Sequence, residues 1–304
     1  MPLIESRYPI WDQDDFVAKV DEGRFFLPDA EEGRRETIIT SVLDAKPVSV
    51  IRLGTPSVKP MMTAVALGAV FILTTYHLYL LSALSGVVTL GCVLWWLWDT
   101  AEIPEKPEKP IGHGITLPLY IAGPAAPGWW AMFITMMADA TAFSGLVFGY
   151  YFYWTIHPDF GAGFDGPGVY WPIVTLLLSL ASWAATVAAR GLHARAAVLP
   201  ARALLVAGAV AAIASLATGL RCLDGLDPEA NVYPAIVWVL VIWTLVHAAI
   251  GAIMQVYTLA RSLAGRMTPT HDADLRNITV YQHFFALTAL VTYLTIGLFP
   301  EAGL

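Results

Sequence analysis

Seven long apolar stretches dominate the chain and decide what it can fold into. Each is long enough to cross a hydrocarbon core about 30 Å thick, which takes about 20 helical residues. They lie at roughly 60–77, 80–98, 128–154, 171–190, 203–220, 233–260 and 278–299. Because lipid offers no partner to a free backbone N–H or C=O, such a chain crosses the membrane as helices. The sequence therefore predicts an all-α integral membrane protein with seven transmembrane helices.

Composition supports this and narrows the function. The chain is 57% hydrophobic and 13% charged, whereas an ordinary soluble domain is roughly 25% charged. Its net charge of -7 comes mainly from acidic residues that precede the first apolar stretch. The acidity therefore describes a polar tail, and it argues against a nucleic-acid partner.

The connections divide the chain into four parts. Only a few residues separate the first two apolar stretches, which predicts a tight helical hairpin at 58–99. A proline-rich connector at 100–127 then leads to a bundle of five helices at 128–304, because prolines do not continue a helix. The polar tail at 1–57 contains VSVIRL, which reads as a short strand or an interfacial anchor. A largely disordered leader is the alternative for the tail.

Basic residues in the short loops predict the orientation. With the N-terminus in the cytoplasm, the outer loops hold only Arg221. The inner loops then hold Lys106, Lys109, Arg190, Arg195, Arg202, Arg261, Arg266 and Arg276. The tail lacks the basic start and apolar core of a signal peptide, so we expect the first apolar stretch to direct insertion. The C-terminus is then expected outside.

Asp139 is the candidate functional residue, because it lies in the middle of the third apolar stretch. An ionised Asp at the bilayer centre costs about 2.5–3.5 kcal/mol on insertion scales. Thr135, one turn earlier, is placed to donate a hydrogen bond to it, and Gly145 and Gly149 form a GxxxG spacing for close helix packing. Two readings remain: a protonated Asp that serves helix assembly, or a site that exchanges protons or contacts lipid headgroups.

The other polar groups mainly exclude functions. His247 and His283 lie within apolar stretches, at depths that we expect to differ by about 12 Å at 1.5 Å per residue. A pair at different depths is a poor haem site, and each is more typical of a buried hydrogen-bonding residue. The last lysine is Lys109, which excludes a retinal Schiff base in the final helix. There is no P-loop, HExxH or CxxC motif.

Three stretches resemble the third subunit of haem-copper respiratory oxidases. WWAMFITMMADATAFSG is similar to that family's third helix, with Trp129 at the start of its motif and Asp139 where the family usually has Glu. WTLVHAAIGAIMQVYTLARSLAGRMT is similar to its sixth helix, in which His247 and Gly251 occupy the second His and the Gly. Thr244 stands where the first His is expected.

The third stretch, YQHF, is similar to the family's closing Tyr-Trp-His-Phe element. Tyr281, His283 and Phe284 match it, and Gln282 replaces the Trp. Arg276 stands at a usual Glu and Ala286 at a usual Asp. The resemblance covers about residues 60–300, and residues 1–57 look like the connector of oxidases in which the first and third subunits are fused.

The resemblance implies a chain that binds no redox cofactor of its own. It implies haems and copper in partner subunits, direct packing against the catalytic first subunit, a second subunit and further small subunits nearby, and phospholipid in a cleft between the two helical groups. The implied function is to stabilise a proton-pumping oxidase that reduces dioxygen to water and to support its proton uptake. The implied location is the bacterial inner membrane, and the electron donor, cytochrome c or quinol, is not defined by the sequence.

Two alternatives accompany this interpretation. An accessory subunit of a nitric oxide reductase has a similar helical core. A small-solute transporter belongs to another class, and it would need polar residues from other helices to converge on Asp139.

Overall fold

The computed structural model describes residues 7–8, 11–24, 26–27, 35–41, 43–54, 56–98, 103, 107–157, 159–161, 163 and 165–300. Lys106 and the first six residues of the tail lie outside these ranges. The chain forms two compact units, Met1–Ile121 and Ala122–Leu304. Each is described by itself below.

The polar part of the first unit contains two β-hairpins. A short helix, α1 (Phe16–Asp21), precedes the antiparallel strands β1 (Glu36–Thr40) and β2 (Pro47–Arg52). The connector forms a second antiparallel hairpin from β3 (Glu108–Gly112) and β4 (Ile115–Pro118). VSVIRL is therefore a strand, the first of the readings that its sequence allows. In α1, the hydrogen bond from Lys19 lowers the pKa of the exposed Asp15 carboxyl.

One buried carboxylate joins the two hairpins. Glu36 on β1 is 1% exposed and accepts a hydrogen bond of 2.9 Å from Arg52 Nε on β2. Lys109 on β3 donates to its other oxygen. Since β1 belongs to the tail and β3 to the connector, this ion-pair cluster holds together segments that flank the apolar hairpin.

Two apolar helices complete the first unit: α2 (Lys59–Thr75) and α3 (Tyr79–Trp98). Ser85 Oγ donates to the Ala66 carbonyl over 2.8 Å, and Thr74 and Ser82 share a hydrogen bond of 2.7 Å. Such hydroxyl contacts are the usual polar link between helices in lipid. These bonds link α2 and α3 side by side within this unit, and α2 has 17 residues.

The second unit is built from five helices. They are α4 (Pro127–Ile156), α5 (Tyr170–Ala194), α6 (Val198–Arg221), α7 (Val232–Leu263) and α8 (Ala273–Tyr293), with a π-helical turn at Leu294–Leu298. Across the described residues, six helices are long and apolar enough to cross a membrane, namely α3 to α8 with the turn that follows α8. An all-α membrane protein is thus confirmed, while α2 falls short of that length.

At one end of the second unit, the helices α5, α7 and α8 are longer than the apolar stretches that predict them. The last two apolar stretches predict helices that start at 233 and 278. The second of these helices, α8, begins earlier, at Ala273. Its first turn includes Asp274 and Arg276, so hydropathy alone does not find it. Arg261 Nε bonds Asp274, and Arg276 Nε bonds Asp272, each over 2.7 Å. Polar pairs therefore continue the helix past its apolar part.

Small and hydroxylated side chains set the packing between α5, α6, α7 and α8. At Gly219 on α6, an added Cβ would lie 2.4 Å from Leu245 Cδ2 on α7. Thr175 and Thr218 share a hydrogen bond of 2.9 Å between α5 and α6. Small residues therefore allow α6 and α7 to approach closely, as they do in membrane helices.

The two ends of the second unit differ in charge. One end, where α5 and α7 end and α6 and α8 begin, is here called the basic end. It carries Arg190, Arg195, Arg202, Arg261, Arg266 and Arg276. The other end carries the segment between α4 and α5 and is here called the loop end. The predicted orientation of the chain rests on this difference in arginine content between the two ends.

Candidate functional site

Asp139 lies near the middle of α4, on the side that packs against α7 and α8. The buried residues of this helix are Met136, Phe143 and Tyr150, and their spacing of seven keeps them on one face. Asp139 is three residues after Met136 and four before Phe143, so it shares that face. Its side chain is 37% exposed. The carboxylate is thus at the edge of a helix contact and half-open to the surroundings.

His247 on α7 faces this carboxylate. Its Nε2 is 3.6 Å from Asp139 Oδ2, and its side chain is 8% exposed. Its Nδ1 is 2.8 Å from the carbonyl oxygen of Trp243, one turn earlier on the same helix. Because a carbonyl only accepts, Nδ1 carries a proton. Nε2 is then the ring nitrogen that faces Asp139.

Three aromatic rings hold the imidazole. The Tyr281 hydroxyl on α8 donates to the His247 carbonyl oxygen over 2.9 Å, and the two rings lie 6.2 Å apart at 18°. The rings of Trp243 and Phe284 lie 5.1 and 5.4 Å from it. These contacts fix the ring with Nε2 toward α4. We call Asp139, His247, Tyr281 and Phe284 the α4–α7–α8 cluster.

The cluster is chemically an acid–base pair. A neutral His247 presents the Nε2 lone pair to Asp139, so a protonated carboxyl can donate to it; transfer of that proton gives an imidazolium and a carboxylate. The 3.6 Å separation is an ion-pair contact and is longer than a hydrogen bond. No group of three or more His, Cys, Asp or Glu placed to hold a metal ion exists within the described ranges.

One other predicted contact of α4 is wrong, and a second has no partner among the described residues. Thr135 does not donate to Asp139, because its hydroxyl bonds the Ala131 carbonyl of its own helix over 2.8 Å. Nothing lies within 4 Å of a Cβ added at Gly145 or Gly149. Among the described residues, this GxxxG pair therefore brings no helix close.

Two further motif residues have structural contacts. Trp129 stacks on Phe133 at the start of α4, with ring centroids 5.6 Å apart, and ten residues or about 15 Å of helix separate it from Asp139. Gly251 on α7 allows α8 to approach: an added Cβ would lie 2.9 Å from Gln282 Nε2. Gln282 is fully buried, so a larger residue at 251 would require its side-chain amide to shift.

His283 points away from the cluster. Trp183 Nε1 on α5 donates to its Nδ1 over 2.8 Å. Counted from the helix ends Leu263 and Ala273, His247 and His283 lie 16 and 10 residues in, so their depths differ by about 9 Å, less than the predicted 12 Å. The error came from the helix ends, because α7 and α8 both continue past their apolar parts. The two imidazoles face different helices, α4 and α5, so they still do not form a bis-histidine haem site.

Sequence reasoning found one half of the pair and missed its partner. Asp139 was evident as a charge in an apolar stretch, and His247 was expected to be a buried hydrogen-bonding residue, which its bond to Trp243 confirms. The contact between them joins residues on α4 and α7, far apart in sequence. The available signal was the spacing of four between Trp243 and His247, which places the indole and the imidazole on one face.

Comparisons with known proteins identify no family for this chain. No family model matches the chain, and no curated protein matches it.

Proposed function

We propose that this chain is a non-catalytic subunit of a proton-pumping terminal oxidase, of the third-subunit type. The observation that carries the proposal is the meeting of three separate stretches that resemble that family. Asp139 comes from the first, His247 from the second, and Tyr281 and Phe284 from the third. If the three short stretches resembled the family by chance, their characteristic residues would have no reason to be in contact.

In this proposal Asp139 and His247 have a proton-linked role. The carboxylate is open to the surroundings, while the imidazole is buried and held by α8. The pair therefore takes up a proton from the exposed side of α4 and keeps it at a fixed place. Most of α4 is available to lipid or to a partner, because only 11% of its most apolar 18-residue stretch is buried within the protein.

A membrane-embedded partner is supported by His283. Its Nδ1 accepts from Trp183, so the ring proton is on Nε2, on the opposite side of an exposed ring. A donor that faces lipid costs free energy unless an acceptor meets it. We assign this donor to the contact with the catalytic subunit, which holds the haems and copper, and place the basic end in the cytoplasm of a bacterial inner membrane.

The first experiment is purification of the tagged chain from native membranes in mild detergent. A reduced-minus-oxidised spectrum with haem bands, together with oxygen consumption, is the expected result. Haem b with nitric oxide consumption instead would favour the reductase alternative. A colourless single chain would overturn the proposal of an oxidase subunit.

The role of Asp139 is tested within that complex. Asp139→Asn keeps the size and removes the charge, and Glu229→Gln is the matched control because Glu229 is exposed in the loop before α7. We expect faster inactivation during turnover and slower proton uptake in Asp139→Asn alone. Unchanged lipid content, turnover stability and proton uptake would refute the role of the pair.

A second candidate is a proton-coupled transporter of small solutes. What favours it is the approach of His247 from another helix to Asp139, since convergent intramembrane polar residues mark transport paths. Proton uptake into vesicles that contain only this chain, dependent on Asp139, would distinguish the transporter from the oxidase subunit.

A further inference from the structure

One face of α8 is exposed and carries apolar side chains at a regular spacing. Val280, His283, Leu287, Leu290 and Leu294 follow one another at intervals of alternately three and four residues. The last four are exposed, the leucines by 59%, 37% and 36%. This alternation keeps side chains on one side of a helix and is the pattern against which a second helix packs. We call these five residues the α8 seam.

His283 places a hydrogen-bond donor within the apolar seam. Its Nδ1 accepts from Trp183 Nε1 over 2.8 Å, so its ring proton is on Nε2. His283 lies 10 residues after Ala273, or about 15 Å into a span that has 26 residues with its final turn. The donor is therefore well inside the span, away from the ends at which headgroups and water are found.

A cation lies on the matching side of the neighbouring helix α5. Arg190 follows Trp183 by seven residues, which brings a helix back to the same face, about 10 Å nearer to the basic end. Ala189 belongs to the same buried cluster as Ile278, so Arg190 is at the level of the first turns of α8. Among the described residues Arg190 has no carboxylate partner, and residues 166–223 contain no Asp or Glu.

The two polar groups favour a protein helix over lipid as the occupant of this face. A phosphate at the membrane surface can meet Arg190, but a hydrocarbon chain offers no acceptor to His283, about 10 Å deeper. A donor that faces hydrocarbon costs free energy, and hydrogen bonds between helices are the usual way to satisfy it in a membrane. A single polar residue in an apolar seam also fixes the register of the two helices.

We propose that the α8 seam, together with Arg190, docks one transmembrane helix of a partner protein. That helix carries a hydrogen-bond acceptor opposite His283, apolar side chains against the leucines and a carboxylate at the level of Arg190. The proposal rests on the proposed function in one respect, because that function makes the catalytic oxidase subunit the partner.

Photo-crosslinking in native membranes that contain the full-length chain tests the seam. Benzoylphenylalanine replaces Leu287 in one variant and, as the control, Ile213 on α6, which is 56% exposed. We expect position 287 to form an adduct with one transmembrane helix, identified by mass spectrometry of the joined peptides, and position 213 to form none with that helix. An adduct with lipid alone, with a second copy of this chain, or with a helix that lacks an acceptor and a carboxylate overturns the proposal.

Side-chain variants test the polar contacts through the adduct yield at position 287. His283→Leu removes the donor and is expected to lower the yield roughly three- to tenfold, the effect of one hydrogen bond between helices. His283→Gln keeps a donor nitrogen and is expected to restore most of the yield. Arg190→Gln is expected to lower it roughly two- to fivefold, while Arg195→Gln, in the exposed turn after α5, leaves it unchanged. An equal yield in His283→Leu and in the unsubstituted chain also overturns the proposal.

The haem spectrum tests the proposed function separately. If position 287 gives the expected adduct with a protein that binds no haem, the docking proposal stands and the oxidase proposal fails. If haem copurifies with the chain but position 287 gives no protein adduct, the oxidase proposal stands and the docking proposal fails.

Discussion

Trp183 Nε1 donates a hydrogen bond to His283 Nδ1 over 2.8 Å, whereas His247 Nδ1 lies 2.8 Å from the Trp243 carbonyl. The indole only donates and the carbonyl only accepts. His247 and His283 therefore hold opposite arrangements of the ring proton: His283 carries it on Nε2, and His247 carries one on Nδ1.

This difference gives a spectroscopic prediction. With ¹⁵N-labelled histidine, we expect an unprotonated Nδ1 for His283 and a protonated Nδ1 for His247. Trp183→Phe should shift only the His283 signals and cost about 1 kcal/mol, the usual net value of one hydrogen bond. Trp130→Phe serves as the control. The same tautomer at both rings would contradict the assignment.

The glycine contacts predict opposite effects at two helix positions. Gly219→Ala places a Cβ 2.4 Å from Leu245 Cδ2 and 3.1 Å from the Tyr293 hydroxyl, so we expect destabilisation by about 1–3 kcal/mol. Gly145→Ala meets nothing within 4 Å and should be neutral or slightly stabilising, since Ala favours a helix over Gly. Thermal unfolding in detergent, followed by circular dichroism, checks both. A greater loss at Gly145 would show that this residue packs against another surface.

Two buried glutamines should respond differently to replacement by leucine. Gln255 Nε2 donates to Ser182 Oγ and Thr186 Oγ1 over 2.9 and 2.8 Å, so Gln255→Leu should cost about 1–3 kcal/mol. Gln282 is equally buried, but neither of its amide atoms has a hydrogen-bond partner among the described residues. Gln282→Leu should therefore be neutral or stabilising. Unfolding midpoints in denaturant provide the comparison, and an equal loss in both variants would indicate that Gln282 bonds an internal water.

The ion-pair cluster of the first unit predicts a local effect. Glu36→Gln removes the charge that Arg52 and Lys109 both contact, so we expect the two hairpins to loosen by up to about 3 kcal/mol. Hydrogen exchange of the β1 and β2 amides measures this. Asp44→Asn is the control, because the Asp44–Lys46 pair is 64% and 77% exposed and such pairs contribute little. Unchanged exchange in Glu36→Gln would contradict a stabilising role for the buried carboxylate.

The sequence predicted an all-α membrane protein and singled out Asp139, but it did not predict the length of α2, the start of α8 or the pairing of side chains. The length of an apolar stretch predicts a membrane span directly, because the thickness of the bilayer sets the length that a span needs. Thr135 was assigned to the carboxylate by spacing alone, but a helical threonine has a nearer acceptor in the carbonyl four residues earlier. The pairs Asp139–His247 and Trp183–His283 depend on how helices distant in sequence are rotated against each other, and no local pattern encodes that rotation.

The buried Glu36 has a consequence for biosynthesis. Lys109 follows Glu36 by 73 residues, and both apolar helices of the first unit lie between them. The ribosome must therefore complete both helices before the last ligand of this carboxylate exists. Until then, of the two ion-pair partners that the described residues give Glu36, Arg52 alone has been made, so the tail closes its final contact after α2 and α3 have been synthesised. The order of synthesis thus makes the contact between the two β-hairpins a late step that depends on the two apolar helices between them.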